Sequence, residues 1–347
     1  MRPKEYRIKE LLREKGLDGA IVSSPENFHY VTGFGGHQHT VSRQPGFTLA
    51  VMRADDKVPT HLTTMDFEAA TFRIKAAGLN FVVDPYDTWV GLKTWDEIAH
   101  GAVVPDKTAM ESSMDKLVQF MKACDLANKK VGIELDYLPV PYYKSLTEKF
   151  PEAEFVNISD LFVYARSVKQ PDEIEMFRKL CRIADHGFTE VSKIAKIGVS
   201  ERELVQCFRE DVIKSGFCAP SSWSMFSTGP SSARLTLPGD GVVKDGDVVK
   251  FDAGVNAEFD FYTTDTSRAW IIGNGDPALL KLKDRLYEGQ RRMIAAAKPG
   301  LPINELYHTA YDYVKEMFPC YRRGHQGHSI SMGPATAEAP YINASET

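Results

Sequence analysis

Short apolar runs alternate with helical repeats from the N-terminus to about residue 160, and this alternation narrows the possible folds most. In the opening segment Ile8, Leu11 and Leu12 recur at helical spacing, and Gly16 can end that helix. "DGAIVSS" then reads as a strand, "PENFHYVTGF" as a turn with a short helix, and "FTLAVMRA" and "KVPTHLTTM" as further strands. "FEAATFRIKAAG" predicts a helix closed by Gly78, followed by the strand "NFVVDPY". "KKVGIELDYLPV" and "AEFVNIS" are strands separated by the helix "YYKSLTEKF". Strands and helices in alternation predict a layered α/β domain. A chain of 347 residues is too long for one ordinary core, so a second domain is expected.

That second part opens on helices. Pro171 suits the first turn of one, and Asp172, Glu173 and Glu175 suit its positive end. Ile174, Phe177, Leu180, Cys181, Ala184 and Phe188 form its apolar stripe. In "GVSERELVQCFREDVIKSG", Ser200 is an N-cap and Gly216 a stop. A Ser/Gly/Pro-rich loop is expected from Ser221 to Asp240. The character of the chain switches near Lys169, and the domains are set at 1–162 and 163–347.

The net charge of -5 offers no attraction to nucleic acid or an anionic membrane. The five cysteines are odd in number, widely spaced and without a CxxC, which argues against a disulfide framework or a cysteine-zinc cluster. Most are expected to be small buried apolar residues in a reducing compartment. "MRPKEYRIKELLREKG" is charged and is not followed by an apolar signal core, so a cytoplasmic protein with no membrane partner is expected.

Two strands in the second part carry acids. In "VVKFDAGV" alternation puts Val248, Lys250 and Asp252 on one face and Val249, Phe251 and Ala253 on the other. Asp265 lies in "FYTTDTSRAWII" between Thr264 and Thr266. A hairpin with one acid on each arm can aim two carboxylates at one point, where repulsion calls for a proton or a cation. Any one of these acids alone is equally compatible with a solvated sheet face, as Glu258, Asp260, Asp245 and Asp247 near turns are expected to be. "RRGHQGHSIS" adds His325 and His328 in a Gly-bracketed turn. Histidine is a common nitrogen ligand, but a loop histidine alone also fits a plain surface role.

Taken together, "DAG", "YTTDTSR", "GHSIS" and "EAP" resemble the metallopeptidase family that contains methionine aminopeptidase, aminopeptidase P, prolidase and creatinase. "SPENFHYVTGF" resembles the N-terminal domain of the prolidase and creatinase branch, and "ARSVKQPDEIEMFRKLCRIAD" its linker helix. "STGPSSARLTLPGDGVVKDGDVVKFDAG" resembles the entry to its first metal strand, and "KPGLPINEL" a later turn. The resemblance implies a creatinase-like α/β domain followed by a pita-bread α/β catalytic domain. It implies Asp252 as a bidentate metal ligand, Asp265 as a bridge between two divalent ions (Mn, Co, Zn or Fe), and His328 as a nitrogen ligand. His325 becomes a substrate or transition-state contact, with a supporting or surface histidine as the alternative. The implied reaction is hydrolysis of a C–N bond in a dipeptide or other small molecule by metal-activated water, in a homodimer.

Three departures from the pattern stand out. The Asp252–Asp265 interval is two residues longer than the family's, which places a longer turn around "VNAEFDF". Leu235 or Thr236 stands where the branch often has a substrate-facing histidine, with Arg234 as a candidate anion contact. The two glutamate ligands of the pattern would fall beyond "EAPYINASET", since Glu338 sits in the "EAP" turn and Glu346 lacks the expected strand context. This implies an incomplete catalytic domain in a longer protein, or a natural pseudoenzyme. Two other functions stay open on the same fold: a non-peptidase hydrolase or lyase, its pocket reshaped near Leu235, Trp223 and Phe226, and an inactive binding module. His37 and His39, on a glycine-rich loop, are expected either to overhang the site of a partner subunit or to be plain surface.

Overall fold

The computed structural model describes residues 3–88, 93–102, 112–333 and 337–346. The chain divides into two compact units, Met1–Ala165 and Arg166–Thr347.

The first unit is built on a six-stranded mixed sheet. Its strands are β1 (Gly19–Val22), β2 (Leu49–Arg53), β3 (Thr60–Thr63), β4 (Phe81–Val83), β5 (Lys130–Ile133) and β6 (Glu154–Asn157), in the order β4-β3-β2-β1-β5-β6. β1 pairs antiparallel with β2 and β2 with β3, while the β3–β4, β1–β5 and β5–β6 pairs are parallel. β1 and β2 are buried along their whole length, which is why "GAIV" and "LAVMR" are almost continuously apolar. Ile21, Val51, Leu117, Phe120, Met121, Val131 and Leu146 share one core cluster. Glu134 is buried at the end of β5, where a bare carboxylate would be costly. Ser24 Oγ (2.6 Å), the Ser24 amide (3.1 Å) and Asn27 Nδ2 (2.5 Å) donate to it and fix the start of the helix Pro25–Thr32.

His37 and His39 lie on a short helix, His37–Ser42, and not in a loop. His37 is exposed. His39 is buried, with Nε2 2.9 Å from the Ser23 carbonyl oxygen, and burial pushes its pKa down to about 4. It is a core residue of its own unit and is neither surface nor overhang.

The second unit contains the antiparallel sheet β11-β9-β8 and two small ribbons, β10–β7 and β12–β13. The ranges are β7 Ala219–Pro220, β8 Met225–Thr228, β9 Val248–Ala253, β10 Val255–Asn256, β11 Thr266–Ile271, β12 His325–Ser329 and β13 Glu338–Asn343. Helix Pro171–Ile194 starts with a reciprocal cap, in which the Gln170 amide donates to Glu173 Oε2 at 2.7 Å. Its stripe buries Phe177, Leu180, Ala184 and Phe188, but Cys181 is exposed and Ile174 is 39% exposed. Ser200 caps helix Glu201–Lys214 with Glu203 closing the box. β9 alternates as its sequence predicts, with Val249, Phe251 and Ala253 buried and Lys250 and Asp252 partly open. The buried face is aromatic: Phe251 meets Phe226 and Trp270 edge-on, at centroid distances of 4.4 and 4.6 Å.

Four expectations are corrected. The segment Ser221–Asp240 contains β8 and a short 3-10 turn, because Met225–Thr228 finds hydrogen-bond partners along β9. His325 and His328 are in a strand and not a turn, since β13 offers "HQGHS" a ladder. Glu338 likewise begins strand β13. Only Cys124 and Cys218 of the five cysteines are buried; Cys181 and Cys320 are exposed because their helix and loop positions face outward.

Candidate metal centre

The open face of β9 carries the site. β9 and β11 pair so that Asp252 faces Ser267 and Ala253 faces Thr266, which sets Asp265 just ahead of β11 and opposite Gly254. Glycine is required there, because a Cβ on Gly254 would collide with the Thr264 carbonyl oxygen. The close approach brings the two acid positions to the same end of the sheet. Glu258 and Phe259 lie exposed in the turn between the arms, with Asp260 half-buried beside them.

His328 reaches the same end from β12. Its Nε2 lies 3.2 Å from Asp265 Oδ2. Its Nδ1 lies 2.9 Å from the Ser329 carbonyl oxygen. A carbonyl only accepts, so Nδ1 carries a hydrogen; Nε2 faces the Asp265 carboxylate and, once it has given up its own proton, is the atom placed to act as a ligand. The ring of Tyr341, cross-strand from His328, sits 5.7 Å from His325 and 6.0 Å from His328. The two histidine rings are 5.9 Å apart.

The electrostatics agree with a shared site. Burial, and then the charge of Asp265, raise the Asp252 pKa above the ordinary carboxylate value. The hydrogen bond to Asp265 raises the His328 pKa above 6.5. Burial lowers that of His325, whose buried Nδ1 has no hydrogen-bond partner among the described residues. Lys250, beside Asp252 on the same face, donates from Nζ to the Arg234 carbonyl at 2.7 Å. Leu235 is 73% exposed, and Arg234 is exposed too. Glu338 is engaged elsewhere, in a buried ion pair with Arg166 at 2.6 Å.

Two carboxylates and an imidazole are donors of the kind a divalent first-row ion takes. A cation among them would also relieve the repulsion that raises Asp252. The donor set therefore fits a divalent ion in kind. Among the described residues no group of three or more His, Cys, Asp or Glu side chains already converges on one point. The sequence places Lys250 on the face of Asp252 but does not point to Tyr341 or Ser329; Tyr341 becomes visible only once β12 and β13 are paired.

A folded-state pKa above the unfolded value means that His328 stabilises the metal-free fold below about 6.5. That contribution is lost as the pH rises through the folded pKa. A metal must displace the same proton. Calorimetric titrations from pH 8 to 6 are expected to show affinity falling about tenfold per pH unit below the folded pKa. Unchanged affinity across that window would contradict the assignment of His328.

Comparison with known proteins gives consistent findings. The model for metallopeptidase family M24 matches residues 175–347, and that for the creatinase/prolidase N-terminal domain matches residues 6–168. The Xaa-Pro dipeptidase of Pyrococcus furiosus is 29% identical over 319 residues, covering 91% of this chain and 78% of that protein. The structure of a Xaa-Pro dipeptidase from Bacillus anthracis superposes with a TM-score of 0.77 at 22% identity, covering 98% of this chain and 84% of the other. An X-Pro aminopeptidase from Thermotoga maritima gives 0.73 at 20% identity, covering 99% and 86%. These two share the fold. Among the described residues no helix is long and apolar enough to cross a membrane.

Proposed function

From its membership of metallopeptidase family M24, to which this chain belongs, we propose that it is a metal-dependent hydrolase acting on Xaa-Pro dipeptides. One observation carries the proposal: Asp265 and His328, far apart in sequence, meet at 3.2 Å beside the partly desolvated Asp252. The identity to a Xaa-Pro dipeptidase supports the substrate class. Asp252, Asp265 and His328 would hold the ion. A bound divalent ion would supply a Lewis acid for the scissile carbonyl and lower the pKa of water. Burial lowers the His325 pKa from its ordinary value, which favours the neutral imidazole as a contact for a bound substrate. Asp252 and Asp265 come from the same end of the sheet, so they would hold the ion on that side. The family resemblance extends the proposal to two ions (Mn, Co, Zn or Fe), a homodimer and a cytoplasmic setting.

The test is a substrate panel with metal-loaded protein. Metal-stimulated cleavage of Xaa-Pro dipeptides is expected, with dipeptides lacking proline cleaved more slowly. Absence of any metal-stimulated Xaa-Pro cleavage would refute the proposal. A second function, a non-peptidase C–N hydrolase or lyase, is favoured by Leu235, which is exposed where the branch often carries a substrate-facing histidine. Cleavage of small amidines without dipeptide cleavage would identify it. Metal binding with neither activity would identify an inactive binding module.

A further inference from the structure

His328 sits on a strand whose ladder is interrupted. Among the described residues β12 pairs with β13 alone, and the register shifts on both sides of His328. A two-stranded ribbon is marginal by itself, and an interrupted ladder leaves its side chains less well fixed. Yet the His328 ring depends on the backbone at this point, because its Nδ1 hydrogen goes to the Ser329 carbonyl.

The Ser329 position is gripped from outside the ribbon. Lys169 Nζ donates to Ser329 Oγ at 2.8 Å and to the Ser167 carbonyl at 3.3 Å. Ser329 faces Glu338 across the ribbon, and Glu338 accepts from Arg166 Nη2 at 2.6 Å, with side-chain exposures of 7% for Arg166 and 11% for Glu338. Two cations three residues apart thus hold both strands at the register point next to His328. Lys169 is half-buried, and desolvation, which lowers its pKa, makes such a placement costly for an ammonium. A lysine serving only solubility would lie outward.

We propose that Lys169, acting through Ser329, is a positioning residue that holds the His328 imidazole in ligand orientation. The path is continuous: Lys169 Nζ to Ser329 Oγ, Ser329 carbonyl to His328 Nδ1, and His328 Nε2 to the Asp265 carboxylate. Partners that orient a metal ligand through its second nitrogen typically change metal affinity by ten- to a hundredfold. This proposal rests on the metal-centre assignment above.

The experiment compares wild type with Lys169→Met, Lys169→Arg, Ser329→Ala, Ser329→Thr, the Lys169→Met/Ser329→Ala double variant and His328→Ala. Chelator-stripped protein is titrated with Co or Mn ions by calorimetry, and kcat and KM are measured on the loaded protein. Lys169→Met and Ser329→Ala are each expected to weaken metal binding by about ten- to a hundredfold and to lower kcat more than they raise KM. The double variant is expected to be no weaker than either single, since both break one path. Arginine at 169 and threonine at 329 keep the donor and the hydroxyl, and are expected to recover most of the loss. Ser329→Ala retains the Lys169 charge, so its loss of affinity separates positioning from simple repulsion between lysine and metal. Wild-type affinity in folded Lys169→Met and Ser329→Ala, or additive losses in the double variant, would overturn the proposal. If His328→Ala also binds metal like wild type, the metal-centre assignment fails. If His328→Ala abolishes binding while the Lys169 and Ser329 variants do not, only the positioning role fails.

Discussion

Asp265→Asn is expected to abolish metal binding and hydrolysis together while leaving the fold intact, as metal titration, activity and circular dichroism of the variant would show. The amide keeps the volume of the carboxylate but removes the anion that His328 faces at 3.2 Å and that Asp252 feels through space. Partners one step removed from a metal ligand cost about ten- to a hundredfold, so loss of a carboxylate proposed to bind the ion directly should exceed about a hundredfold in kcat/KM. Asp252→Asn should do the same to activity but move stability the other way. Burial and Asp265 raise the folded pKa of Asp252, so its contribution to stability is present below the unfolded value of 3.8 and lost as pH rises through the folded pKa. At neutral pH the ionised carboxylate therefore costs the metal-free fold, and the amide does not. Thermal melts of chelator-treated protein at pH 7 are expected to place Asp252→Asn above wild type. A lower melting temperature would show that Asp252 is held by stabilising partners and is not poised for a cation.

Phe251→Ala is expected to cost about 3–5 kcal/mol of folding stability, the usual cost of deleting a buried phenyl ring. Phe251 is fully buried and packs edge-on against both Phe226 and Trp270, with Phe188 at 6.3 Å. Three rings around one position leave no small neighbour free to collapse into the hole, which favours the upper part of that range. Total stability for a domain is about 5–15 kcal/mol, so the loss is a large fraction. Urea denaturation would read it as a lower midpoint at similar slope. A change below about 1 kcal/mol would show that the aromatic cluster repacks. Residues 251 and 252 are thus expected to divide the work on one strand: the inward side chain supplies stability, and the outward one, the proposed ligand, lowers it in the metal-free protein.

Much of this was legible in local pattern. The period-2 burial of "VVKFDA" follows from alternation, and it assigns Asp252 to the open face before any partner is known. Ser200 and Glu203 form a capping box that spacing alone predicts. Strand β8 was not legible, because "MFST" is short, lies among Ser, Gly and Pro, and becomes a strand only through its ladder with β9. "HQGHS" reads as a turn because Gly324 precedes it and Gly327 lies within it; the β13 ladder overrides that local preference. His39 was misplaced because a glycine-rich flank hides the burial that its neighbours impose.

By itself the sequence determined the alternation of strands and helices in the first 160 residues, the period that turns Asp252 outward, and the family to which the motifs "DAG", "YTTDTSR" and "GHSIS" point. Those properties depend on periods of 2 and 3.6 residues and on short motifs, which a linear chain displays directly. Only the tertiary structure decided that Asp265 meets His328, that Tyr341 flanks both histidines, that Glu338 is occupied by Arg166, and that Lys169 reaches Ser329. The physical reason is separation: Lys169 and Ser329 are 160 positions apart, and no local period carries information over that distance. Their meeting is fixed by sheet register and helix packing, which come into being only when the chain folds.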